Sequence, residues 1–302
     1  MSCDFSLPRV AILLAVFNGE ENIVEQIASL ATQKHVRVKI FFSDDGSIDR
    51  SVEVISSRVS CDFEILPSMR SGCAGANFFR LIRDVNFSEF DYVAFADQDD
   101  IWDENKLIRA ISALDEYKTD VYSSNVTAFW PDGRQMLINK AQSQKKWDHY
   151  FEAAGPGCTY VMPVLIASQL KKMIIDNVSE MKEIALHDWF IYAWARHNGL
   201  RWFIDPVPSM RYRQHAANVV GVNNGVSAAK SRFNKLRDGW YLNQIKLIAS
   251  SIDALDVPPI CWVANPSLLN KFKLILSVAK CRRRFRDRLG FIVFVMMLRK
   301  YE

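Results

Sequence analysis

Apolar runs of strand length alternate with amphipathic segments through the first half of the chain. The apolar runs are Val10–Val16, Val38–Phe42, Phe63–Leu66, Tyr92–Ala96 and Val121–Val126. Segments with apolar residues at helical spacing lie between them, at Glu21–Ala31, Asp49–Val59, Asn77–Val85 and Asn105–Tyr117. Runs without a polar face are typical of strands that are covered on both sides. The alternation therefore predicts an α/β fold with a doubly wound, mostly parallel sheet.

The second half of the chain is less regular. Its predicted elements are a turn at Trp130–Gly133 between short strands, a tight loop at Gly155–Cys158, helices at Pro163–Ile175 and Asp188–Arg196, and strands at Leu200–Ile204 and Met210–Arg213. Val226–Leu255 has a largely helical pattern, which Pro258 and Pro259 interrupt, and helices resume after Pro266. We therefore predict a first domain over residues 1–225 and a helical C-terminal region over residues 226–302.

Polar clusters follow three of the predicted strands. Asn18 and Gly19 follow the first strand, Asp44–Gly46 ends the second, and Asp97–Asp100 follows the fourth. In a doubly wound sheet, ligands bind outside the carboxyl ends of the strands. We therefore expect the three clusters to converge on one crevice.

The segment Asp97–Asp100 places three carboxylates within four residues, directly after an apolar run. Such carboxylates repel one another and are costly to desolvate unless a cation joins them. Oxygen ligands of this kind suit Mg²⁺ or Mn²⁺, which bridge to phosphates and neutralise the charge of a diphosphate leaving group. The alternative is a solvated acidic turn that caps the next helix.

The segment Asp44–Ser47 combines two carboxylates with a turn signal. Gly46 permits a sharp turn, and Ser47 or Asp49 has the chemistry of a helix cap. One carboxylate then remains for a ligand, and it has the hydrogen-bonding capacity to accept the N3–H of uracil or thymine. This interpretation favours a uridine or thymidine nucleotide without separating the two.

Two further polar segments have a functional and a structural interpretation. Asp188, between His187 and Trp189 at the start of a predicted helix, is either a general base or an N-cap. The stretch Tyr212–His215 has side chains that can bind phosphate or complete the coordination of a metal ion. The alternative is that it forms the polar end of a surface strand.

Taken in order, six segments of the chain resemble the inverting family 2 glycosyltransferases of the glycosyltransferase-A fold. Within that family they resemble the bacterial rhamnosyltransferase-like branch of surface-polysaccharide synthesis. The segments are Ala15–Gly19, Ser43–Ser47, Asp97–Trp102, Gly157–Thr159, His187–Trp189 and Tyr212–His215. The resemblance covers roughly residues 8–222. Ile48 and the pair Ala216–Ala217 depart from the family pattern.

The resemblance implies a role for each matching residue. Asp188 is the catalytic base. The nucleotide-binding residues are Phe17, Asn18, Glu20, Asp45, Asp97 and Arg213, and the metal ligands for Mg²⁺ or Mn²⁺ are Asp97, Asp99 and His215. Residues 8–126 form the nucleotide-binding half of the catalytic domain, and residues 127–225 form the acceptor half.

The implied reaction is transfer of rhamnose or another hexose from a UDP- or dTDP-sugar, with inversion, to a hydroxyl of a glycan or lipid-linked oligosaccharide. It belongs to the synthesis of a bacterial surface polysaccharide, O-antigen or capsule. A sugar nucleotidyltransferase would need a Gly-rich phosphate loop after the first strand, where only Gly19 is present. A non-catalytic glycan-binding protein would need neither the acidic cluster nor Asp188.

The positive charge of the chain is concentrated in its C-terminal segment. Residues 267–302 contain ten Lys or Arg residues against two acidic ones, whereas the rest of the chain has 28 against 32. This segment is either a packing helix with a basic face or a contact with an anionic membrane surface. The acidic remainder argues against a nucleic-acid partner.

No signal peptide is evident, and Phe291–Leu298 is too short to cross a bilayer, so we expect a cytoplasmic protein, peripheral on the membrane.

Overall fold

The computed structural model describes residues 7–58, 61–214, 234 and 236–299. Their contacts group them into two compact units. The first unit consists of the described residues within 7–141, 155–187 and 200–214, and the second of those within 142–154, 188–199 and 234–299. Segments 142–154 and 188–199 therefore group with the C-terminal residues. The predicted boundary near residue 225 lies outside the described residues.

Seven strands of the described residues form the main sheet of the first unit: β1 (Arg9–Val16), β2 (Arg37–Asp44), β3 (Phe63–Ile65), β4 (Tyr92–Ala96), β6 (Val121–Ser124), β9 (Val161–Pro163) and β10 (Trp202–Asp205). Their order across the sheet is β10-β6-β9-β4-β1-β2-β3. The helices of this unit are α1 (Ile23–Ala31), α2 (Ser51–Arg58), α3 (Ala74–Asp84), α4 (Lys106–Glu116), α5 (Val164–Asp176) and α6 (Val178–Met181). β1 pairs in parallel with both β2 and β4, and all its residues from Val10 to Leu14 are fully buried.

One strand of the main sheet was not predicted. β9 runs antiparallel between β4 and β6, whereas the other pairings of this sheet are parallel. The helix predicted from Pro163 begins at Val164, because Pro163 is the last residue of β9. The apolar residues of β9 continue directly into those of the following helix, so the pattern does not mark a separate strand.

The strand predicted at Val121–Val126 is two strands that belong to different sheets. β6 ends at Ser124, and β7 (Val126–Phe129) joins a second sheet. The other strands of this sheet are β5 (Ile101–Trp102), β8 (Gln135–Ile138) and β11 (Met210–Arg213), and their order is β5-β11-β7-β8. Asn125 lies buried at the break and hydrogen-bonds Pro206 O through Nδ2 and the amides of Lys140 and Ala141 through Oδ1. A side chain that bonds backbone groups competes with the ladder at that point.

The second unit is helical apart from a 3₁₀ turn at Asp148–Tyr150. Its helices are α7 (His187–His197, from Asp188 onward), α8 (Trp240–Ser251), α9 (Ile260–Ala264), α10 (Leu268–Leu276), α11 (Val278–Cys281) and α12 (Phe285–Met297). The helix predicted over Val226–Leu255 is described only in part, and α8 lies within it. None of the helices among the described residues has the length and apolarity needed to cross a membrane.

Candidate active site

Three strands of the first unit end side by side. Val16 of β1 lies opposite Asp44 of β2, and Leu14 of β1 lies opposite Ala96 of β4. The polar segments that follow these strands therefore lie at one edge of the sheet, and they contain all the predicted site residues before residue 100.

Gln98 ties the acidic loop after β4 to the end of β1. Its side-chain carbonyl accepts the Phe17 N–H at 2.8 Å, and its amide donates to Phe17 O at 2.9 Å. Gly19 leaves room for this side chain, since a Cβ on Gly19 would lie 2.5 Å from Gln98 Oε1. The Phe17 ring is 49% exposed and stands at the edge of the sheet. Sequence reasoning gave Gln98 no role, because its contacts depend on the direction of one side chain.

Asn18 and Glu20 hold the β1 loop against the loop that follows β2. Asn18 has a left-handed backbone with a φ of 48° and accepts the Ile48 N–H at 2.9 Å through Oδ1. Glu20 accepts the Arg50 backbone N–H and pairs with its guanidinium at 2.8 Å. These hydrogen bonds from Arg50 lower the pKa of Glu20, so this carboxylate is ionised at neutral pH.

Asp44 and Asp45 both accept hydrogen bonds from backbone amides. Asp44 accepts the amides of Gly46 and Ser47, which closes the turn after β2. Asp45 accepts the amides of Ser71 and Gly72. The Asp45 side chain is therefore fixed at the edge of the sheet while it keeps further acceptor capacity, since a carboxylate has about four lone-pair sites.

The acidic loop brings Asp97 together with Asp100 and Cys158. Oxygen atoms of the two carboxylates and Cys158 Sγ lie within 4.8 Å of one another. Asp100 is fully buried, its Oδ1 accepts the Arg213 N–H at 3.1 Å, and its Oδ2 has no hydrogen-bond partner among the described residues. Burial and the charges of Asp97 and Asp99 raise the pKa of Asp100 well above its usual range.

This donor set fits a divalent cation. A cation between Asp97 and Asp100 would relieve their repulsion and give the unpartnered Asp100 Oδ2 a ligand bond. Burial also raises the pKa of the Cys158 thiol, so it stays protonated and is a poor ligand for Mg²⁺ or Mn²⁺. Asp99 is not part of this group of three, and His215 lies outside the described residues.

Arg213 of β11 holds the acidic loop from the second sheet. Its Nε donates to Asp99 O at 2.8 Å, and its guanidinium pairs with Glu25 and lies 4.6 Å from the centre of the Phe129 ring. These contacts fix the backbone of Asp99 and Asp100.

Lys106 is a buried lysine beneath the same loop, and it was not singled out in the sequence analysis. It is fully buried, donates to Cys158 O at 2.9 Å, and its Nζ lies 3.2 Å from the centre of the Trp102 ring. Burial lowers the pKa of Lys106 to about 7. The available signal was its position four residues before Ala110, on the buried face of α4.

Asp188 lies in the first turn of α7 and belongs to the second unit. Its Oδ1 accepts the N–H of Trp189 at 2.7 Å. The preceding residue, His187, stacks on Phe78 with ring centres 3.9 Å apart, and burial lowers the pKa of His187 to about 3.

Residues 11–165 match the profile of the family described as "Glycosyl transferase family 2". The chain belongs to this family. The glycosyltransferase is 40% identical over 288 residues to a "dTDP-rhamnosyl transferase RfbG" of Shigella flexneri. These aligned residues cover 94% of this chain and 99% of the relative. Over 120 residues, 38% of this chain and 45% of the relative, it is 28% identical to the Escherichia coli protein "UDP-Glc:alpha-D-GlcNAc-diphosphoundecaprenol beta-1,3-glucosyltransferase WfaP".

Solved structures place the glycosyltransferase in the predicted fold. Staphylococcus aureus TarS 1–349, crystallised with UDP-GlcNAc, has a TM-score of 0.51 at 14% identity and covers 94% of this chain and 81% of its own. The mannosyltransferase PcManGT of Pyrobaculum calidifontis was solved with GDP-Man and Mn²⁺. It has a TM-score of 0.52 at 12% identity, and the matched region covers 97% of this chain and 86% of PcManGT. The prediction of a glycosyltransferase-A fold with a helical C-terminal region is confirmed. Family membership also sets aside the nucleotidyltransferase and glycan-binding alternatives.

Proposed function

We propose that the chain transfers rhamnose from dTDP-rhamnose, with inversion, to a hydroxyl of a glycan or lipid-linked oligosaccharide during O-antigen synthesis. The observation that carries this proposal is the 40% identity to a dTDP-rhamnosyl transferase along nearly the whole of both chains. The acidic group at the carboxyl edge of the sheet supports it, because it fits the cation that a nucleoside diphosphate requires.

For the nucleotide, we propose that Phe17, Asn18 and Asp45 line the base pocket. Phe17 presents an exposed ring for stacking, and Asp45 has acceptor capacity for the thymine N3–H. Glu20 lies near the phosphates and holds Arg50 beside them through their ion pair. Arg213 stabilises the same rim from β11.

For the cation, we propose Asp97 and Asp99 as predicted, with Asp100 as a further oxygen ligand that the geometry favours. His215 completes this predicted set. Mg²⁺ or Mn²⁺ bound there supplies positive charge that stabilises the diphosphate leaving group.

For the chemistry at the acceptor, we propose Asp188 as the general base. The helix dipole of α7 favours its charged form, since the residue lies in the first turn. The carboxylate takes the proton of the acceptor hydroxyl, whose oxygen bonds the anomeric carbon as the bond to the nucleotide oxygen breaks. Attack from the opposite face inverts the anomeric configuration.

A donor panel tests the proposal. The full chain is incubated with dTDP-rhamnose, dTDP-glucose, UDP-glucose and UDP-N-acetylglucosamine, with Mg²⁺, Mn²⁺ or a chelator, and nucleotide release is measured with and without a bacterial lipid-linked oligosaccharide fraction. We expect metal-dependent release of dTDP from dTDP-rhamnose that the acceptor fraction stimulates. Preference for a UDP-sugar contradicts the proposed donor.

Asp188→Asn is the matched variant for the catalytic step. It keeps the size of the side chain and should keep dTDP binding, measured by calorimetry, while transfer falls about 10²–10⁴-fold. Near-normal transfer by Asp188→Asn, or a product with the donor's anomeric configuration, excludes the mechanism.

A further inference from the structure

Exposed apolar side chains are concentrated on two helices of the second unit. Among the described residues, twenty large apolar side chains are exposed, and eight of them lie on α10 and α12. We call these eight residues the tail surface: Leu268, Leu269, Phe272, Leu276, Phe285, Leu289, Val293 and Met296. Contiguous apolar patches of this kind are rare on monomeric proteins and mark contacts with a partner or a membrane.

The exposed residues of α10 occupy one face of the helix. At 3.6 residues per turn, Leu268, Leu269, Phe272 and Leu276 fall within about 100° of its circumference. Leu268 is 88% exposed, whereas Leu274 on the opposite face is fully buried. The helix therefore has two apolar faces: one packs against the protein, and the other is exposed to solvent.

α12 has the same arrangement. Its exposed residues fall within about 80° of the circumference, and Phe285 is 73% exposed. The opposite face is packed, with Phe291, Phe294 and Val295 buried. α10 and α12 contact each other, and Lys271 Nζ donates to Met296 O at 3.3 Å. That hydrogen bond joins the edge of one exposed stripe to a residue of the other.

Basic residues flank both stripes. On α10, Lys271 and Lys273 lie on the two sides of the apolar stripe, and on α12 Arg286 and Arg288 do the same, by their helical positions. An apolar face between basic flanks is the pattern of helices that lie in the interface of an anionic bilayer. A symmetric contact with a second copy of this chain would instead bring these like charges together.

We propose that the tail surface lies on the anionic face of a phospholipid bilayer. The apolar side chains enter the boundary between headgroups and acyl chains, and the flanking Lys273 and Arg286 side chains meet the lipid phosphates. Arg282, Arg283, Lys271 and Arg288 take no part, because the side chain of each donates to a backbone carbonyl of this unit.

Vesicle flotation of the full chain tests the proposal. The vesicles contain phosphatidylcholine alone or phosphatidylcholine with about one third phosphatidylglycerol, at low and high salt. We expect flotation with the anionic vesicles that decreases as salt screens the charges. The double variant Phe272→Ser/Phe285→Ser removes apolar contacts, and we expect its partition coefficient to fall at least about tenfold.

Leu165→Ser/Ile175→Ser is the matched control, because it removes two exposed apolar residues of α5 in the first unit and should leave flotation unchanged. Lys273→Glu/Arg286→Glu should lower binding to anionic vesicles and abolish its salt dependence. Calorimetric dTDP binding checks that each variant is folded. Absence of flotation, or equal flotation of the Phe272/Phe285 variant, overturns the proposal. A wild-type dimer that this variant turns into a monomer, without vesicle binding, assigns the surface to a second copy instead.

Discussion

The side chain of Gln98 packs so closely against Gly19 that a Cβ atom at Gly19 would lie 2.5 Å from Gln98 Oε1. Because Gly19 has no left-handed backbone, Gly19→Ala is strained only by the side chain of Gln98. We expect the carboxamide to swing away and lose both hydrogen bonds to Phe17, with a loss of about 1–3 kcal/mol in the free energy of unfolding. Urea denaturation measures this change.

Gly290→Ala is the control for this prediction. Gly290 lies in α12, and nothing is within 4 Å of the position that a Cβ would take. We expect this variant to be up to about 1 kcal/mol more stable than the wild type, because alanine favours the helix. Equal effects of the two substitutions would refute the packing argument.

His187 makes stability depend on pH. Its pKa is about 3 in the folded chain, below the ordinary value of 6.5, so the unfolded chain binds the proton first as the pH falls. His187 therefore does not lower the free energy of unfolding above pH 6.5. From pH 6.5 down to about pH 3, its protonation in the unfolded chain lowers that free energy by about 1.4 kcal/mol per pH unit. We expect the wild type to lose stability against His187→Gln between pH 6.5 and 4. Urea denaturation at each pH tests this, and parallel curves for the two proteins contradict it.

At the residue scale, the position of the site residues relative to the strands was predictable from the sequence, whereas the direction of their side chains was not. The acidic cluster follows an apolar run, so its place at the carboxyl edge of the sheet could be predicted from the sequence. The carboxylate that lies beside Asp97 could not be predicted, since Asp99 and Asp100 are adjacent in sequence and the structure places Asp100 beside Asp97, where it accepts the Arg213 N–H. Lys106 was missed because charged residues are rarely buried.

Elements that show several repeats of their pattern were predictable, and a short strand that runs directly into the next helix was not. β1 and α4 were predicted within one residue of their bounds, because each shows several repeats of its pattern. β9 has three residues, and the break at Asn125 depends on bonds to Pro206 and Lys140, which are distant in sequence.

The Arg282–Arg283 segment between α11 and α12 is fastened to the 3₁₀ turn at Asp148–Tyr150. Arg283 Nε lies 3.6 Å from Asp148 Oδ2 and 3.5 Å from Glu152 Oε1, and the side chains of Arg283 and Asp148 are 1% and 0% exposed. We expect Arg283→Met to lower the free energy of unfolding by up to about 3–5 kcal/mol, because the buried Asp148 carboxylate loses one of its two guanidinium partners and keeps only Arg196.

Arg286→Met is the matched control, since its side chain is 67% exposed and its ion pair with Asp287 contributes about 0–1 kcal/mol. Asp148→Asn combined with Arg283→Met should recover part of the loss. Chemical denaturation of the wild type, the single variants Arg283→Met, Asp148→Asn and Arg286→Met, and the double variant measures these differences. Additive losses in the double variant would show that the two side chains are not coupled.

For the whole molecule, the division into units does not follow chain order. The second unit combines residues 142–154 and 188–199 with the C-terminal helices. The sequence predicted the helices but not this grouping, because the contacts that define it are between segments far apart along the chain. The division of the catalytic domain into nucleotide and acceptor halves stays a prediction.

This grouping predicts the result of truncation. A chain that ends at Asn265 loses Arg282, which contacts Glu152, and Arg283, which contacts both Asp148 and Glu152. We expect such a chain to unfold at a lower temperature and to expose apolar surface, as measured by calorimetry and dye binding. A truncated chain with wild-type thermal stability would show that the C-terminal helices are dispensable for folding. Point substitutions on the tail surface avoid this loss.

Asp148 also contacts α7, since Arg196 Nη1 lies 3.7 Å from its Oδ1 while Arg283 approaches the other oxygen. Helix α7, whose first turn contains Asp188, and the segment that leads into α12 therefore both form ion pairs with one carboxylate. A bilayer beneath the tail surface then sets the height of Asp188 above the lipid phosphates. With Asp188 as the proposed base, we expect transfer to prefer one length among acceptors that differ only in the number of sugars between the lipid and the free hydroxyl.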